Sequence, residues 1–221
     1  MKRYLPFVII AVVLGASIGA GFFMFRSTRS ESTNPSGPSP VAPPDTAKSS
    51  RDSTTPKGVV TIEEFGDYQC PPCGLLHPVL KTLKGEYGNR IELVFHHLPL
   101  TQLHKHALEA AYAAEAAKFQ GKFWEMHNLL YESQSAWTDV GDFRPVAINY
   151  ARQIGLDTAR FQRDMDGLEV LTRVTADEQR ANNLGVNSTP TVYLNGQLIP
   201  NDNFTVEGLR KEINQRLNAN P

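Results

Sequence analysis

Cysteine is scarce in this chain of 221 residues: Cys70 and Cys73 are the two it has. A single pair spaced two residues apart cannot build the multi-bridge framework that holds small secreted domains together, so the spacing points to chemistry or to metal binding. Charge of one sign is equally lacking. Lys plus Arg total 22 against 23 Asp plus Glu, a formal net charge of -1. Such a balance gives no global field for a polyanion, and a nucleic-acid partner is not expected. No internal repeat is visible, nor any metal, nucleotide or flavin motif, so no separate cofactor or metal is expected and any redox group must be the cysteine pair itself.

One long uncharged run is present. From Tyr4 to Phe25 no side chain carries charge, and the stretch can cross a hydrocarbon core of about 30 Å as a helix. Lys2 and Arg3 precede it and Arg26 and Arg29 follow it, so basic residues alone orient it weakly. A signal peptide has the same outline, and both readings send the rest of the chain outward. Ser17, Gly19 and Gly21 offer small residues for cleavage, yet Phe22, Phe23 and Phe25 prolong the apolar run, which favours an uncleaved anchor over residues 1–26. Residues 27–56 are dominated by Ser, Thr and Pro without apolar periodicity, the composition of an extended linker.

The foldable unit spans 57–221. Val59 to Phe65 reads as a strand with Val60, Ile62 and Glu64 on one face, and Gly66 to Gln69 as a turn. Leu76, Val79, Leu80 and Leu83 then recur at helical spacing, with Gly85 and Gly88 punctuating the end. Ile91 to Phe95 supplies the second strand of a βαβ unit. From about 101 to 184 the pattern is helical, running through Leu103, Ala107, Ala110, Ala114 and Ala117; Gly121, Gly141, Gly155 and Gly167 divide it. Phe123, Trp124, Leu130 and Phe161 are its candidate core. Thr191 to Leu194, the turn Asn195–Gly196 and Gln197 to Ile199 read as a hairpin, and Val206, Leu209, Ile213 and Leu217 as the stripe of a last helix. The order βα, β, helices, ββα predicts an α/β sheet carrying a helical insertion between its βαβ and ββα halves.

The cysteine pair thus falls at a helix N-terminus, where unpaired N–H groups and the helix dipole favour a thiolate. Cys70 is expected to attack and Cys73, one turn on, to resolve. Pro71 suits the first turn, but Pro71 and Pro72 together remove two donors. A zinc site would need two further ligands. His96, His97, His104 and His106 follow the second strand without a second CxxC, and they are read as surface or packing residues with no metal to hold. A purely structural bridge would close too small a loop to constrain the unfolded chain.

Glu64–Phe65, Asp67–Tyr68, Cys70–Pro71–Pro72–Cys73 and Gly185–Val186–Asn187–Ser188–Thr189–Pro190–Thr191 resemble the DsbA-like branch of the thioredoxin superfamily. Weaker marks are Leu98–Pro99–Leu100, His104, Gly121–Lys122–Phe123–Trp124 and Pro78, which resembles a helix-kinking proline. The resemblance implies a thioredoxin-like fold, a cis peptide before Pro190 against the redox pair, and backbone hydrogen bonds from Thr189 to a bound peptide. It also implies a buried acid at Glu64 that exchanges a proton with Cys73, while Glu63 points away. At Pro72 strongly oxidising relatives carry histidine; without that cation a less oxidising pair is expected. Ser188 stands where glycine is common.

The function so implied is an oxidase that introduces disulfides into unfolded exported proteins with free thiols. A quinone-linked membrane partner of DsbB or vitamin K epoxide reductase type would recycle it, and the domain would face the periplasm from the inner membrane. Two alternatives stay open: a membrane-tethered reductase or isomerase, and a non-catalytic binding module whose helical block offers an apolar groove.

Overall fold

The computed structural model describes residues 58–219. The expected anchor (1–26) and linker (27–56) lie outside the described residues. Among those described, no helix is long and apolar enough to cross a membrane.

Strand β1 (Val60–Gly66) leads into helix α1 (Pro71–Tyr87), and a short 3-10 turn returns the chain to β2 (Ile91–His97). Six helices follow: α2 (Ala107–Lys118), α3 (Phe123–Glu132), α4 (Gln134–Trp137), α5 (Arg144–Gln153), α6 (Thr158–Met165) and α7 (Leu168–Asn183). The hairpin β3 (Thr191–Leu194) and β4 (Gln197–Ile199) and helix α8 (Val206–Ala219) close the chain. The sheet order is β2-β1-β3-β4, with β1 parallel to β2 and antiparallel to β3. This is the mixed α/β arrangement expected from the order of elements and the thioredoxin-like fold that the resemblance implies.

The hairpin turn follows from two residues that tolerate positive φ. Asn195 sits at 49° and Gly196 at 74°, the hand a two-residue turn needs to match strand twist. Asn195 also accepts from the Thr61 N–H at 2.8 Å through its side chain, which carries the ladder past the strand end to β1.

Alternation along β1 turns Val60 and Ile62 toward α1 and α8, where they meet Leu76, Leu80, Leu83, Leu209 and Ile213. Burial of each such aliphatic side chain contributes about 2 kcal/mol. Phe65 points to the opposite face and packs with Leu98, Ala181 and Val186 beneath α7. A separate core fills the helical block. Its centre is α2, apolar nearly all round because other helices surround it, and its alanines let them approach closely.

Several expectations need correction. Leu103 precedes α2 and is exposed, since the helix starts only at Ala107. Gly85 lies within α1, and the helix ends at Gly88, where φ reaches +58°. Both β1 and β2 run past Phe65 and Phe95, to Gly66 and His97. Leu130 and Phe161 are fully buried, but Phe123 is only partly so and Trp124 is 42% exposed. The buried tryptophan is Trp137, whose indole N–H donates to the Leu130 carbonyl at 2.8 Å.

Candidate active site

The loop after β1 delivers Cys70 to the helix start because Asp67 arranges it. The Asp67 carboxylate accepts from the Gln69 N–H at 2.7 Å, the Leu100 N–H at 2.8 Å and His104 Nδ1 at 2.7 Å, while its carbonyl accepts from the Cys70 N–H at 3.1 Å. Gln69 bonds outward, to the His106 N–H at 2.6 Å and the Thr138 carbonyl at 2.9 Å. Insertion and redox loop are therefore tied through hydrogen bonds as well as packing.

Cys70 is the N-cap of α1, with extended backbone, and Pro71 occupies the first helical position. An N-cap side chain ordinarily accepts from an N–H two or three residues on. Pro72 has no N–H, which leaves that of Cys73 to face the sulfur. Both sulfurs are free thiols. Cys70 is 5% exposed beside the two exposed prolines, whereas Cys73 is wholly buried, so attack from outside can reach only Cys70.

The two thiols are driven apart electrostatically. Donation from the Cys73 thiol, then the influence of the nearby but unpaired Thr189 hydroxyl and donation from the Cys73 backbone N–H, hold Cys70 at about 6, against burial and the nearby Asp67 carboxylate. Burial, the Cys70 sulfur and Glu64 push Cys73 well above the ordinary thiol range. A proton shared between the sulfurs therefore resides on Cys73 and the negative charge on Cys70.

The other predicted site residues converge here from across the chain. In its protonated form the Cys70 thiol donates to the Thr189 carbonyl oxygen at 3.4 Å. The Thr189–Pro190 peptide is cis, and Pro190 is buried. Glu64 is 4% exposed on the α1 side of the sheet. Its carboxyl is raised to about 8, first by burial and then by charge on Cys70, and its Oε1 has no partner. Glu63, on the opposite face, is paired with Arg180 and lies 3.2 Å from His96.

Sequence patterns did not single out Gln134, Tyr131, His77 or His127. Gln134 Nε2 donates to the carbonyls of Tyr68 and Cys70, and a Cβ on Gly74 would come within 2.6 Å of Gln134 Oε1. Tyr131 is buried against Tyr68, with ring centroids 4.9 Å apart, and its hydroxyl has no partner. A buried hydroxyl or imidazole on an otherwise apolar helix face is the one signal that could have marked Tyr131 and His127.

The four histidines expected at the surface or in packing also hold polar pairs, and His97 and His106 are packed in the interior. His96 bonds Asp177 at 2.8 Å, His97 bonds Glu115 at 3.2 Å inside the core, His104 bonds Asp67, and His106 bonds Glu109 and the Val140 carbonyl. A buried imidazole needs such partners to offset desolvation. Among the described residues, no group of three or more His, Cys, Asp or Glu side chains is placed to hold a metal ion.

Residues 55–215 match the family model described as thioredoxin. Among solved structures, a thioredoxin-like oxidoreductase from Silicibacter pomeroyi DSS-3 is 30% identical with a TM-score of 0.60, covering 74% of this chain and 89% of that one. Oxidised BdbD from Bacillus subtilis aligns with a TM-score of 0.64 at 22% identity, over 72% of this chain and 88% of that one. Wolbachia pipientis alpha-DsbA1 aligns at 0.62 and 18% identity, over 75% and 89%; these last two likenesses concern the fold alone. In sequence, the Na(+)/H(+) antiporter NhaA 1 of Salinispora arenicola is 40% identical over 139 residues. That match takes in 62% of this chain and 20% of the antiporter, so the chain spans about a fifth of the length of the curated relatives it matches.

Proposed function

Because this chain belongs to the thioredoxin family, with the fold of DsbA-like thiol–disulfide oxidoreductases, we propose that it is an extracytoplasmic oxidase that introduces disulfides into exported proteins through Cys70 and Cys73. The observation that carries this reading is the split between the two sulfurs: Cys70 ionises near 6 at a helix start, and Cys73 is buried and holds its proton. A stabilised Cys70 thiolate favours the reduced pair, which makes the bridged pair an acceptor of electrons.

In the forward direction a substrate thiolate attacks the Cys70 sulfur of the bridged pair. The Cys70–Cys73 bond breaks, a mixed disulfide forms at Cys70, and Cys73 leaves as a thiolate that takes a proton from the Glu64 carboxyl. The substrate's second thiol loses its proton and attacks its own bridged sulfur, releasing Cys70 as a thiolate. Two electrons pass from substrate to pair. Thr189 offers backbone hydrogen bonds to the peptide beside Pro190, and Pro71 and Pro72 tune the pair by withholding helix donors. The pair itself is the redox group.

Residues 1–26 are proposed as the anchor and 27–56 as the linker that keeps the domain (57–221) near a quinone-linked membrane partner of DsbB or vitamin K epoxide reductase type. Pro72, which brings no cation to the thiolate, favours a second reading in which the pair runs reductively on electrons from a membrane donor. Thiol trapping in cells decides between them. An oxidase holds Cys70 and Cys73 mostly bridged, and a Cys73→Ala variant accumulates mixed disulfides with exported proteins; a mostly reduced pair would establish the reductive reading.

A further inference from the structure

A cavity of about 490 Å³ lies between α1, the β1–β2 side of the sheet and α3, and it meets the redox pair through Glu64, whose carboxyl acts electrostatically on Cys73. Its walls include the otherwise buried Glu64, His77 and His127, and its rim carries the exposed Lys81, Lys84 and Glu92. Two of the wall atoms, Glu64 Oε1 and His77 Nε2, are buried without a hydrogen-bond partner. Leaving such an atom unpaired costs about 1–3 kcal/mol, and although much of the wall is apolar, a cavity of this size has room for water at these polar atoms. His77 also connects toward the exterior: its Nε2 lies 3.8 Å from Oε1 of Glu132, a half-exposed carboxylate bonded to Lys81. The imidazole stacks on Tyr131 with centroids 5.3 Å apart.

Resting on the proposed function, we infer that this cavity is the proton path of the redox pair, with His77 passing protons between Glu64 and solvent. Each turnover requires it. When Cys73 leaves the disulfide, it takes the Glu64 proton, and the buried carboxylate left behind is costly until it is reprotonated. The proton comes through cavity water from His77, which regains one at the surface. On reoxidation Glu64 first releases its proton outward through His77 and then, as a carboxylate, takes the proton of Cys73, so one proton enters and one leaves per cycle and charge balances in both half-reactions.

The groups facing His77 suit the task. Burial lowers its affinity for a proton, Glu132 on α3 raises it and Lys81 on its own helix lowers it. His127 on α3 lies 5.3 Å away ring to ring and is held neutral by burial, with Nδ1 engaged by the Tyr68 hydroxyl at 3.1 Å. Glu64 faces the same cavity from β1. His77 is a positioning residue for the proton, since it touches neither sulfur nor substrate.

The test uses the oxidised full-length protein and a dithiol peptide, in H2O and in D2O. His77→Gln should slow turnover by about tenfold or more, in keeping with loss of a proton-transfer group. It should enlarge the solvent isotope effect and be rescued by imidazole, with the pH profile of Cys70 alkylation unmoved. Leu93→Trp, which narrows the cavity from its β2 wall and leaves the His77 imidazole in the chain, should slow the same step without imidazole rescue. A His77→Gln protein that turns over at the wild-type rate, or slows with an unchanged isotope effect and no rescue, overturns the path. Should that variant fail to fold, wild-type turnover in Leu93→Trp overturns it equally. A wild-type protein that exchanges no faster than a simple dithiol overturns the proposed function itself and the path with it, and is told apart by that control.

Discussion

The side-chain amide of Gln134 donates to the carbonyl oxygen of Cys70 at 3.0 Å, so the helical insertion holds the first turn of the redox helix from the side. The same amide bonds the Tyr68 carbonyl at 2.8 Å. Gln134→Leu should lower stability by about 1–3 kcal/mol, because it removes two hydrogen bonds, the one to the Tyr68 carbonyl and the one to the Cys70 carbonyl, which then keeps only the Gly74 N–H. Gly74→Ala should act in the same direction by pushing Gln134 aside. Urea melts of both variants, with peptide oxidation rates, check this; wild-type midpoints would show the clamp to be idle.

Glu64 gives stability a pH dependence of definite sign. Its folded carboxyl is raised to about 8 from an ordinary 4.5, chiefly by burial, so the folded state binds the proton more tightly than the unfolded chain. The group thus contributes stability at low pH, which is lost as pH rises from about 4.5 to about 8. Glu64→Gln should flatten that decline and be the more stable protein above it, while slowing the Cys73-dependent step. Parallel pH–stability curves for the two proteins would refute the assignment.

Cys70 should alkylate with half-maximal rate near pH 6 while Cys73 stays protected. A thiol depressed from 9.0 in the folded state contributes stability to the reduced protein that is present above 9.0 and lost as pH falls to about 6. Thr189→Ala removes a hydroxyl available to the thiolate and should shift the alkylation profile upward. An unshifted profile would assign the depression to Cys73 and the helix alone.

Pro72→His should make the pair more oxidising, since it places a cation beside the Cys70 thiolate and stabilises the reduced form. The rise should reach about 30 mV, a tenfold change in the exchange equilibrium. Equilibration against glutathione measures it, and an unchanged potential would remove Pro72 as a determinant.

Local order was legible because it depends on neighbours along the chain. Alternation over Val60, Ile62 and Glu64 identified β1 and its inner face, Asn195–Gly196 identified the hairpin turn, and glycines at 121, 141, 155 and 167 separated the helices. The placement of Cys70 at a helix start likewise followed from the strand–turn–helix order around it. Trp124 and Trp137 show where this stops: both lie in helical segments, yet one is 42% exposed and the other fully buried, because exposure depends on which helices pack across the block.

What the sequence determined by itself was therefore the set of elements, their order and the position of the thiols at the head of α1, all products of short-range backbone and side-chain preference. Only the tertiary structure decided that Gln134 would clamp Cys70, that Thr189 would meet its sulfur, and that Glu64 and His77 would face one cavity. Those meetings join distant segments through the closing of helix faces against a sheet, and no period or turn signal encodes which faces will close.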